Sequence, residues 1–359
     1  MVFILTIERH VDYIIVGQGL AGSSLAIQLI QQGKKVVVFD EPVKNQCSRV
    51  AAGLFNPITG KGIVKTWMAE ELFTSLTHYT HCESVFGRRF FFPQLLYRPF
   101  YSAEEQNNWM AKSGDGTVAP FIEKIFTACH FQDQVHDVHG GILLKASGYL
   151  DAPSFLAATS QYLDAKDSLE VAHFNALEVI HSLEGIIYQN IRARQIIFCA
   201  GVSDNPFFKW LPIRSLKGET LTINLEISPS VIFNRGVYIV PLARTNSYKV
   251  GATYQLKDLS QTITLEGRTE LMTKLNGLLK NPLEVVGQDW GIRPTTLDRR
   301  PMLGPHPSFK NLVIFNGLGT KGVSLAPYFS AQLANWLTGN GEIQKEVHIK
   351  RFNALYSSS

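Results

Sequence analysis

The chain has 359 residues, of which 45% are hydrophobic and 18% charged, a composition typical of globular proteins that excludes the disordered and fibrous classes. Its formal net charge of +4 permits an anionic ligand but excludes the dense basic surface of a dedicated nucleic-acid binder. At about 150 residues per domain, this length fits two domains or one elaborate domain.

Cysteine usage and the N-terminal residues bear on the compartment. Four cysteines are scattered along the chain and none forms a C-x-x-C pair, which indicates reduced thiols rather than a disulfide scaffold. Residues 1–9 lack the basic region and the small-residue cleavage site of a signal peptide. No segment approaches the roughly 20 apolar residues that span a bilayer. We therefore expect a cytoplasmic protein with no membrane span.

The chain opens with a strand–helix–strand pattern. Residues 11–16 form an apolar run rich in β-branched side chains, residues 23–32 carry apolar side chains at helical spacing, and residues 35–40 form a second apolar run. Both runs are apolar on two faces, as the strands of a buried parallel sheet are. The pattern predicts a βαβ unit.

A glycine motif joins the first strand to the helix. In Gly17-x-Gly19-x-x-Gly22 the glycines allow a tight turn, a close approach of the backbone to a pyrophosphate, and close helix–strand packing. The helix N-terminus then stabilises the phosphate charge. Asp40 follows 23 residues after Gly17, where a carboxylate accepts ribose hydroxyls and repels a 2′-phosphate. The unit therefore predicts FAD or NAD as its ligand, rather than NADP.

Small residues are frequent in the next segment, residues 48–57, so its backbone could lie against a flat ring. A flexible loop explains this composition equally well. Further along, residues 84–101 and 218–254 alternate apolar with polar or aromatic side chains, which predicts antiparallel strands.

Nucleotide-binding elements recur later in the chain. Residues 191–201 form a buried strand that ends in glycine. Near the C-terminus, a strand at 312–316, a glycine loop at 317–322 and a helix at 326–337 repeat the opening pattern. We infer one discontinuous α/β domain and a second, β-rich domain.

Four motifs occur in one order along nearly the whole chain. They are Gly17–Gly22 with Asp40, Ser48–Pro57, Gly291–Gly304 and Gly317–Pro327. Together they resemble the D-amino-acid oxidase / glycine oxidase (DAO) superfamily of FAD-dependent oxidoreductases. The resemblance implies an α/β fold with a discontinuous FAD-binding Rossmann-like domain and a second, mixed β-sheet substrate domain.

The resemblance also suggests domain boundaries. We expect the FAD-binding domain to comprise residues 1–80, 142–214 and 287–359. We expect the substrate domain to comprise residues 81–141 and 215–286.

The resemblance implies a flavin chemistry and its partners. It implies FAD-dependent oxidation of the C–N bond of a carboxylate-bearing amine or amino acid, by hydride transfer to flavin N5. Oxygen or another electron acceptor would complete the cycle. Related families that attach the flavin to a cysteine carry it near the arginine motif, and residues 289–304 contain none, so FAD is expected to be non-covalent. No metal is expected, because His136 and His139 lack a third ligand at suitable spacing and indicate a solvent loop.

The family's cofactor contacts can be carried over motif by motif. They fall on the first glycine motif, the end of the second strand, the small-residue segment, a strand near Glu178 and Val179 that would present its backbone to the adenine, the end of the strand at 191–201, and the C-terminal glycine loop. The residues are Gly17, Gly19, Leu20, Ala21, Gly22, Asp40, Glu41, Cys47, Ser48, Ala52, Gly53, Leu54, Val179, Gly201, Gly317, Leu318, Gly319, Thr320, Lys321, Gly322 and Val323.

Arg293 is the candidate for substrate binding. In Gly291-x-Arg-Pro its guanidinium can hold a carboxylate through two parallel hydrogen bonds and so aim the substrate C–H at the flavin. A structural salt bridge, for instance to Asp298, is the alternative. By the resemblance, Tyr238 and Tyr254 line the substrate pocket, and an aromatic core of the β-rich domain is their alternative role.

One departure from the family concerns a second arginine. Glycine oxidases carry it in the C-terminal glycine loop, where this chain has Thr320 followed by Lys321. Whether Lys321 replaces that arginine stays open, and with it whether glycine itself is the substrate.

Other functions stay in view. The FAD domain of a bifunctional tRNA-modifying enzyme has a similar glycine loop, followed by a basic residue and Ala-Pro, as in residues 317–327. The alternative is therefore FAD-dependent oxidation of a carboxymethylaminomethyl group on the tRNA wobble uridine. Residues 88–101 could then contact bases or phosphates, although a strand pair with core aromatics and solvated arginines is favoured. A redox-carrier flavoprotein and an NAD dehydrogenase are further alternatives.

Overall fold

A computed structural model describes residues 7–356 apart from 44, 60, 61, 183, 184, 227 and 244. The chain separates into two compact units. The first unit comprises Met1–Arg49, Leu156–Leu216 and Ile292–Ser359, and the second comprises Val50–Phe155 and Lys217–Gly291.

Regular elements within the described ranges are numbered in chain order. The strands are β1 (Arg9–Val16), β2 (Val36–Asp40), β3 (Leu54–Phe55), β4 (Ile58–Thr59), β5 (Val64–Lys65), β6 (Phe91–Pro93), β7 (Leu96–Pro99), β8 (Ile122–Phe126), β9 (Gly141–Leu144), β10 (Gly148–Leu150), β11 (Leu169–Val171), β12 (Ile180–Ser182), β13 (Gly185–Tyr188), β14 (Ile191–Phe198), β15 (Arg214–Leu225), β16 (Ile232–Arg235), β17 (Val237–Pro241), β18 (Ser247–Gly251), β19 (Leu283–Thr295), β20 (Met302–Pro305) and β21 (Leu312–Asn316). The α-helices are α1 (Leu20–Gln31), α2 (Cys47–Val50), α3 (Ala69–Thr74), α4 (Thr77–Phe86), α5 (Ala103–Lys112), α6 (Ala152–Asp164), α7 (Leu265–Asn276) and α8 (Gly322–Leu337), with 3-10 turns at Ala119–Phe121, Ala176–Glu178 and Ile349–Leu355.

The junctions between the units differ from the domain boundaries expected from the sequence. Residues 50–80 and 142–155, expected in the FAD-binding domain, lie in the second unit. Strand pairing explains this, because β10 pairs with β3 on one side and with β6 on the other. Hydrophobic patterning identifies such strands without showing which ones pair.

A mixed sheet forms the centre of the first unit. Its strand order is β11-β2-β1-β14-β13-β12, with β21 also paired to β14 and β20 paired to β21. β1 is parallel to β2 and β14, and β21 is parallel to β14. Central residues of these strands, such as Ile14, Val37 and Ile196, are completely buried. The predicted βαβ unit with buried parallel strands is confirmed.

Two helices that follow glycine-rich turns, α1 and α8, pack against each other in the first unit. α1 begins at Leu20 and α8 at Gly322, respectively three and four residues before the predicted starts. The predicted helix at 326–337 starts one residue before Pro327, and proline lacks the N–H that a helix interior uses. Pro327 instead lies inside α8, where it removes only the bond to the carbonyl four residues earlier.

The second unit contains a sheet of order β19-β15-β18-β17-β16-β7-β9-β8. Its β15–β18, β18–β17 and β17–β16 pairs are antiparallel, as predicted, whereas β16 and β7 run parallel. Residues 84–86, predicted as strand, form the end of α4. α7 covers one face of the sheet, in a cluster that includes Leu221, Ile223, Val250, Leu271 and Leu275.

Two sequence motifs without an assigned chemistry have structural roles. The prediction of a solvent-exposed loop at 136–139 is wrong for Asp137, which is fully buried. Its carboxylate accepts hydrogen bonds from Tyr97 Oη (3.1 Å) and from the backbone N–H of His130 (2.8 Å). In the basic stretch, Tyr97 is likewise buried, whereas Arg89 is exposed and lies over the ring of Phe92.

Neither a membrane span nor a metal cluster is found in the described part of the chain. No helix there combines the length and hydrophobicity that crossing a membrane requires. His, Cys, Asp and Glu side chains in the same ranges form no group of three or more able to hold a metal ion.

Candidate functional site

The turn between β1 and α1 depends on two glycines. Gly17 has φ +98°, a backbone conformation that favours glycine, and its N–H donates to the carbonyl of Phe39 (2.7 Å). A side chain at Gly22 would overlap the carbonyl oxygen of Gly17. The helix therefore starts close against the strand, as the motif predicts.

The N-terminus of α1 presents backbone donors. Gly19 is the N-cap residue and provides no side-chain cap, and the first turn contains no acidic residue. The N–H of Leu20 donates to Ser48 Oγ at a distance of 3.4 Å. The positive end of a 12-residue helix can thus stabilise an anion such as a pyrophosphate. Ala21 lies in the same first turn and is buried.

Asp40, at the end of β2, has one oxygen engaged and one available. Its Oδ1 accepts a hydrogen bond from the backbone N–H of Gln18 (2.8 Å). Its Oδ2 is buried and has no hydrogen-bond partner among the described residues, although Arg49 Nη2 lies 3.9 Å away. Burial raises the pKa of Asp40, while the Gln18 N–H, the charge of Arg49 and the nearby Gln46 side chain oppose that rise. A buried carboxylate oxygen without a partner fits the ribose hydroxyls of an adenine dinucleotide such as FAD.

Glu41 and Val179 are the other candidates for the adenosine end. Glu41 is exposed, and its Oε2 lies 2.8 Å from His173 Nδ1. Glu178 ends a 3-10 turn and Val179 follows it, so the predicted strand begins only at Ile180. Val179 packs against the core of the first unit.

Hydrogen bonds of the Asn316 side chain and of the backbone connect the C-terminal glycine loop to two other segments. Asn316 Oδ1 accepts a hydrogen bond from the N–H of Gly317, and Asn316 Nδ2 donates one to the carbonyl of Gly201; each distance is 2.7 Å. The N–H of Gly319 donates to the carbonyl of Pro294 (2.9 Å). The structure therefore brings together predicted residues from three segments: the glycine loop, Gly201 after β14, and the arginine motif.

Lys321 lies where this loop enters α8. It is the N-cap residue and makes no side-chain cap. Burial, and secondarily the charge of Arg299, lower the pKa of Lys321 to about 8. Thr320 before it is exposed, and Leu318 is partly buried. The cation at the start of α8 is thus the lysine, one residue after the position of the expected arginine.

The N-termini of α1 and α8 meet at their first residues. A Cβ added to Gly322 would lie 3.1 Å from Leu20 Cδ1, and Val323 is buried. Two helix N-termini that converge in this way concentrate backbone donors in one region.

Arg293 and Cys47 are neighbours in the first unit. The positive charge of Arg293 lowers the pKa of the Cys47 thiol against the larger, opposite effect of burial. Asp298, the acid considered as a salt-bridge partner for Arg293, pairs instead with Arg351 (3.1 Å).

The remaining candidates lie in the second unit. Ala52, Leu54 and Tyr238 belong to one hydrophobic cluster, whereas a side chain at Gly53 would overlap the carbonyl of Leu150. Tyr254 follows β18 and has 62% of its surface exposed. It is therefore not the core aromatic considered as an alternative.

Three residues near these candidates were not predicted. Gln18 and Arg49 contact Asp40, and Asn316 connects Gly201 with Gly317. Asn316 directly precedes the glycine loop at a strand end, where polar side chains commonly have positional roles. That placement is the one sequence signal that could have identified it.

Comparisons with known proteins identify the family of this chain. The family described as FAD dependent oxidoreductase (DAO) matches residues 12–336. The glycine oxidase of Bacillus subtilis (strain 168) is 24% identical over 371 residues, covering 96% of this chain and 98% of that protein. The tRNA 5-methylaminomethyl-2-thiouridine biosynthesis bifunctional protein of Actinobacillus pleuropneumoniae serotype 5b is 22% identical, covering 90% of this chain and 55% of that protein. The crystal structure of glycine oxidase from Bacillus cereus ATCC 14579 matches with a TM-score of 0.76 at 19% identity, covering 92% of this chain and 96% of that chain. Because the family match covers most of its length, this chain belongs to the DAO family of FAD-dependent oxidoreductases.

Proposed function

We propose that this chain oxidises the C–N bond of a small amine or amino acid that bears a carboxylate, with FAD bound non-covalently. One observation carries the proposal: the hydrogen bond from Gly319 N–H to the Pro294 carbonyl (2.9 Å) places the arginine motif beside the C-terminal glycine loop. The glycine oxidase relative supports a substrate of this class.

FAD fits the first unit through several features. Asp40 Oδ2 would accept from the ribose, and the N-terminus of α1 would stabilise the pyrophosphate. The N-terminus of α8 and the loop before it would donate hydrogen bonds to the flavin ring. When bound, FAD supplies the acceptor for the hydride that leaves the carbon next to nitrogen.

Arg293 would bind the substrate carboxylate. A guanidinium holds a carboxylate through two parallel hydrogen bonds, which fix the orientation of the substrate as well as its position. By the family resemblance, Tyr238 and Tyr254 would also contact the substrate, and a tyrosine hydroxyl can donate a hydrogen bond to it. Orientation is the main contribution that the protein makes in such a reaction.

Anaerobic reduction of the flavin tests the proposal. Glycine, sarcosine, proline, other N-alkyl glycines, and D- and L-amino acids are added singly to the purified protein, and flavin absorbance is recorded. We expect bleaching by one class, and Arg293→Ala to raise the concentration for half-maximal reduction by at least tenfold. Arg293→Lys should recover part of this loss, because one hydrogen bond and the charge return.

A matched control and a second measurement complete the test. Arg9→Ala removes a partly exposed ion pair with Glu170 (2.9 Å), and we expect it to leave reduction unchanged. Reoxidation of the reduced flavin by oxygen or by a quinone then identifies the electron acceptor. A flavoprotein that none of these compounds reduces would refute the small-substrate proposal, and a protein that binds NAD and no FAD would refute both parts.

A second candidate function is oxidation of a carboxymethylaminomethyl group on tRNA. Two observations favour it: the tRNA-modifying relative, and Lys321 at the loop position that is basic in that enzyme class. Bleaching of the flavin by tRNA carrying that group, but not by small amines, would support it. Retention of unmodified tRNA only at low salt would count against this function, because the mild positive charge of the chain explains such binding.

A further inference from the structure

Lys217 is a completely buried lysine and the first residue of the second segment of the second unit. Its Nζ donates to Asp258 Oδ2 (2.8 Å) and Ser260 Oγ (3.0 Å), and lies 3.5 Å from Glu219 Oε1. A buried ammonium is costly unless it is paired and hydrogen-bonded. The positions of Asp258 and Ser260 are therefore coupled to that of Lys217. The Lys217–Asp258 bond also holds the pKa of Asp258 below its ordinary value.

The segment 255–264, which contains Asp258 and Ser260, is anchored at both ends to β15. Gln255 exchanges two backbone hydrogen bonds with Lys217, each of 3.0 Å. At the other end Thr264 donates to Glu219 through its N–H (2.9 Å) and its hydroxyl (2.7 Å). Gln288 Nε2 also donates to Glu219 (2.7 Å). Lys217 and Glu219 thus hold the two ends, and the Lys217 side chain holds the middle.

Tyr254 lies between two anchored residues. On one side the N–H of Glu219 donates to Thr253 Oγ1 (2.8 Å), and the N–H of Thr253 donates to the Glu219 carbonyl (3.2 Å). On the other side is Gln255, paired with Lys217. The backbone of Tyr254 is therefore fixed by the same strand that carries the buried lysine.

Apolar side chains of this region are exposed. Tyr254 and Leu256 each have 62% of their surface accessible, Ile263 has 52% and Leu259 has 41%. Asp258 meets Lys217 while 42% of its side chain stays accessible, and Ser260 is exposed. The exposed apolar side chains of the segment could contact the carbon atoms of a ligand.

We propose that Lys217 is a positioning residue for substrate binding: through Asp258 and Ser260 it fixes the segment 255–263, and thereby Tyr254 at the substrate pocket. This inference rests on the proposed function, because that function places Tyr254 at the pocket. Lys217 itself contacts neither substrate nor flavin in this proposal.

Asp258→Asn and Ser260→Ala test the proposal better than a change at Lys217, which would leave Glu219 buried without its cation and risks misfolding. We expect faster amide hydrogen exchange in peptides covering 255–263, with exchange in α7 unchanged. We also expect at least a fivefold rise in KM for the substrate that bleaches the flavin, with kcat changed less than twofold. Asp204→Asn is the matched control, because it removes an exposed ion pair with Lys209 (3.1 Å); it should change neither quantity.

A double variant distinguishes positioning from general destabilisation. In a Tyr254→Ala background, Asp258→Asn should raise KM no further, since the residue through which it acts is absent. Faster exchange with an unchanged KM, or additive effects in the double variant, would overturn the inference. Hydrogen exchange needs no turnover, so unchanged exchange would overturn it even if no small amine reduced the wild-type flavin. That lack of reduction would count against the proposed function alone.

Discussion

Replacement of Asp40 by asparagine isolates the contribution of one carboxylate oxygen to FAD binding. Oδ1 is already engaged by the N–H of Gln18 (2.8 Å), and an asparagine oxygen can keep that bond. Oδ2 has no hydrogen-bond partner among the residues described. The asparagine NH2 at that place would donate and could not accept. The fold should persist while the ribose loses its charged acceptor.

The size of the effect follows from this single lost acceptor. A hydrogen bond to a charged group contributes about 1.5–3 kcal/mol, which corresponds to a roughly 10- to 150-fold weaker FAD complex. Binding should also weaken toward acid, because a proton occupies the carboxylate as pH falls through the Asp40 pKa, which burial raises. The asparagine variant should lose this pH dependence.

Titration of apoprotein with FAD, followed by quenching of flavin fluorescence at fixed ionic strength, measures the dissociation constant. Asp12→Asn serves as control, because Asp12 accepts a hydrogen bond from the Lys35 N–H (2.9 Å) at an exposed site in the same unit. It should bind FAD as the wild type does. An Asp40→Asn dissociation constant within about twofold of the wild-type value would refute the reasoning.

Three further predictions concern packing and charge. Gly22→Ala should lower stability by about 1–3 kcal/mol and weaken FAD binding, in thermal melts and FAD titrations, because its methyl group would meet the carbonyl of Gly17. Gly251→Ala should raise substrate KM about five- to tenfold, since a Cβ there would lie 2.5 Å from Tyr238 Oη, whereas Gly287→Ala in the same sheet, with its nearest atom at 3.5 Å, should leave KM unchanged. Lys321→Met should raise stability on the order of 2–3 kcal/mol at pH 7. In denaturant titrations, the difference in stability between variant and wild type should shrink between about pH 8 and 10.5. Burial lowers the folded-state pKa of Lys321, so the wild type becomes more stable as its lysine loses the proton in this range.

The elements with strong local signals could be predicted from the sequence. The turn at Gly17–Gly22 was predictable because backbone geometry and close packing admit only glycine there. Asp40 was predictable because it ends a strand at a fixed distance from that turn. The apolar strands around Ile14 and Ile196 were predictable because both of their faces are buried.

Features that depend on distant pairing could not be predicted. The junction at Arg49 and Phe155 follows from strand partners that no local pattern specifies. Lys217 becomes buried because Asp258 and Ser260, more than forty residues later, fold onto it. Asp137 was misread for the same reason, since Tyr97 is forty residues away in sequence. Polar residues reveal their burial only when their partners are known.

Strand β14 lies between β1 and β21, which stand near opposite ends of the chain. Ile14 pairs with Ile196, and Val313 pairs with Ile197. Contacts so distant in sequence slow folding, because a long loop must close before they form. During synthesis, β1 can pair with β2, which follows closely, but it leaves the ribosome long before its other partner, β14, exists. Its apolar edge must therefore wait through the emergence of most of the second unit, and this interval is when the nascent polypeptide most needs protection by chaperones.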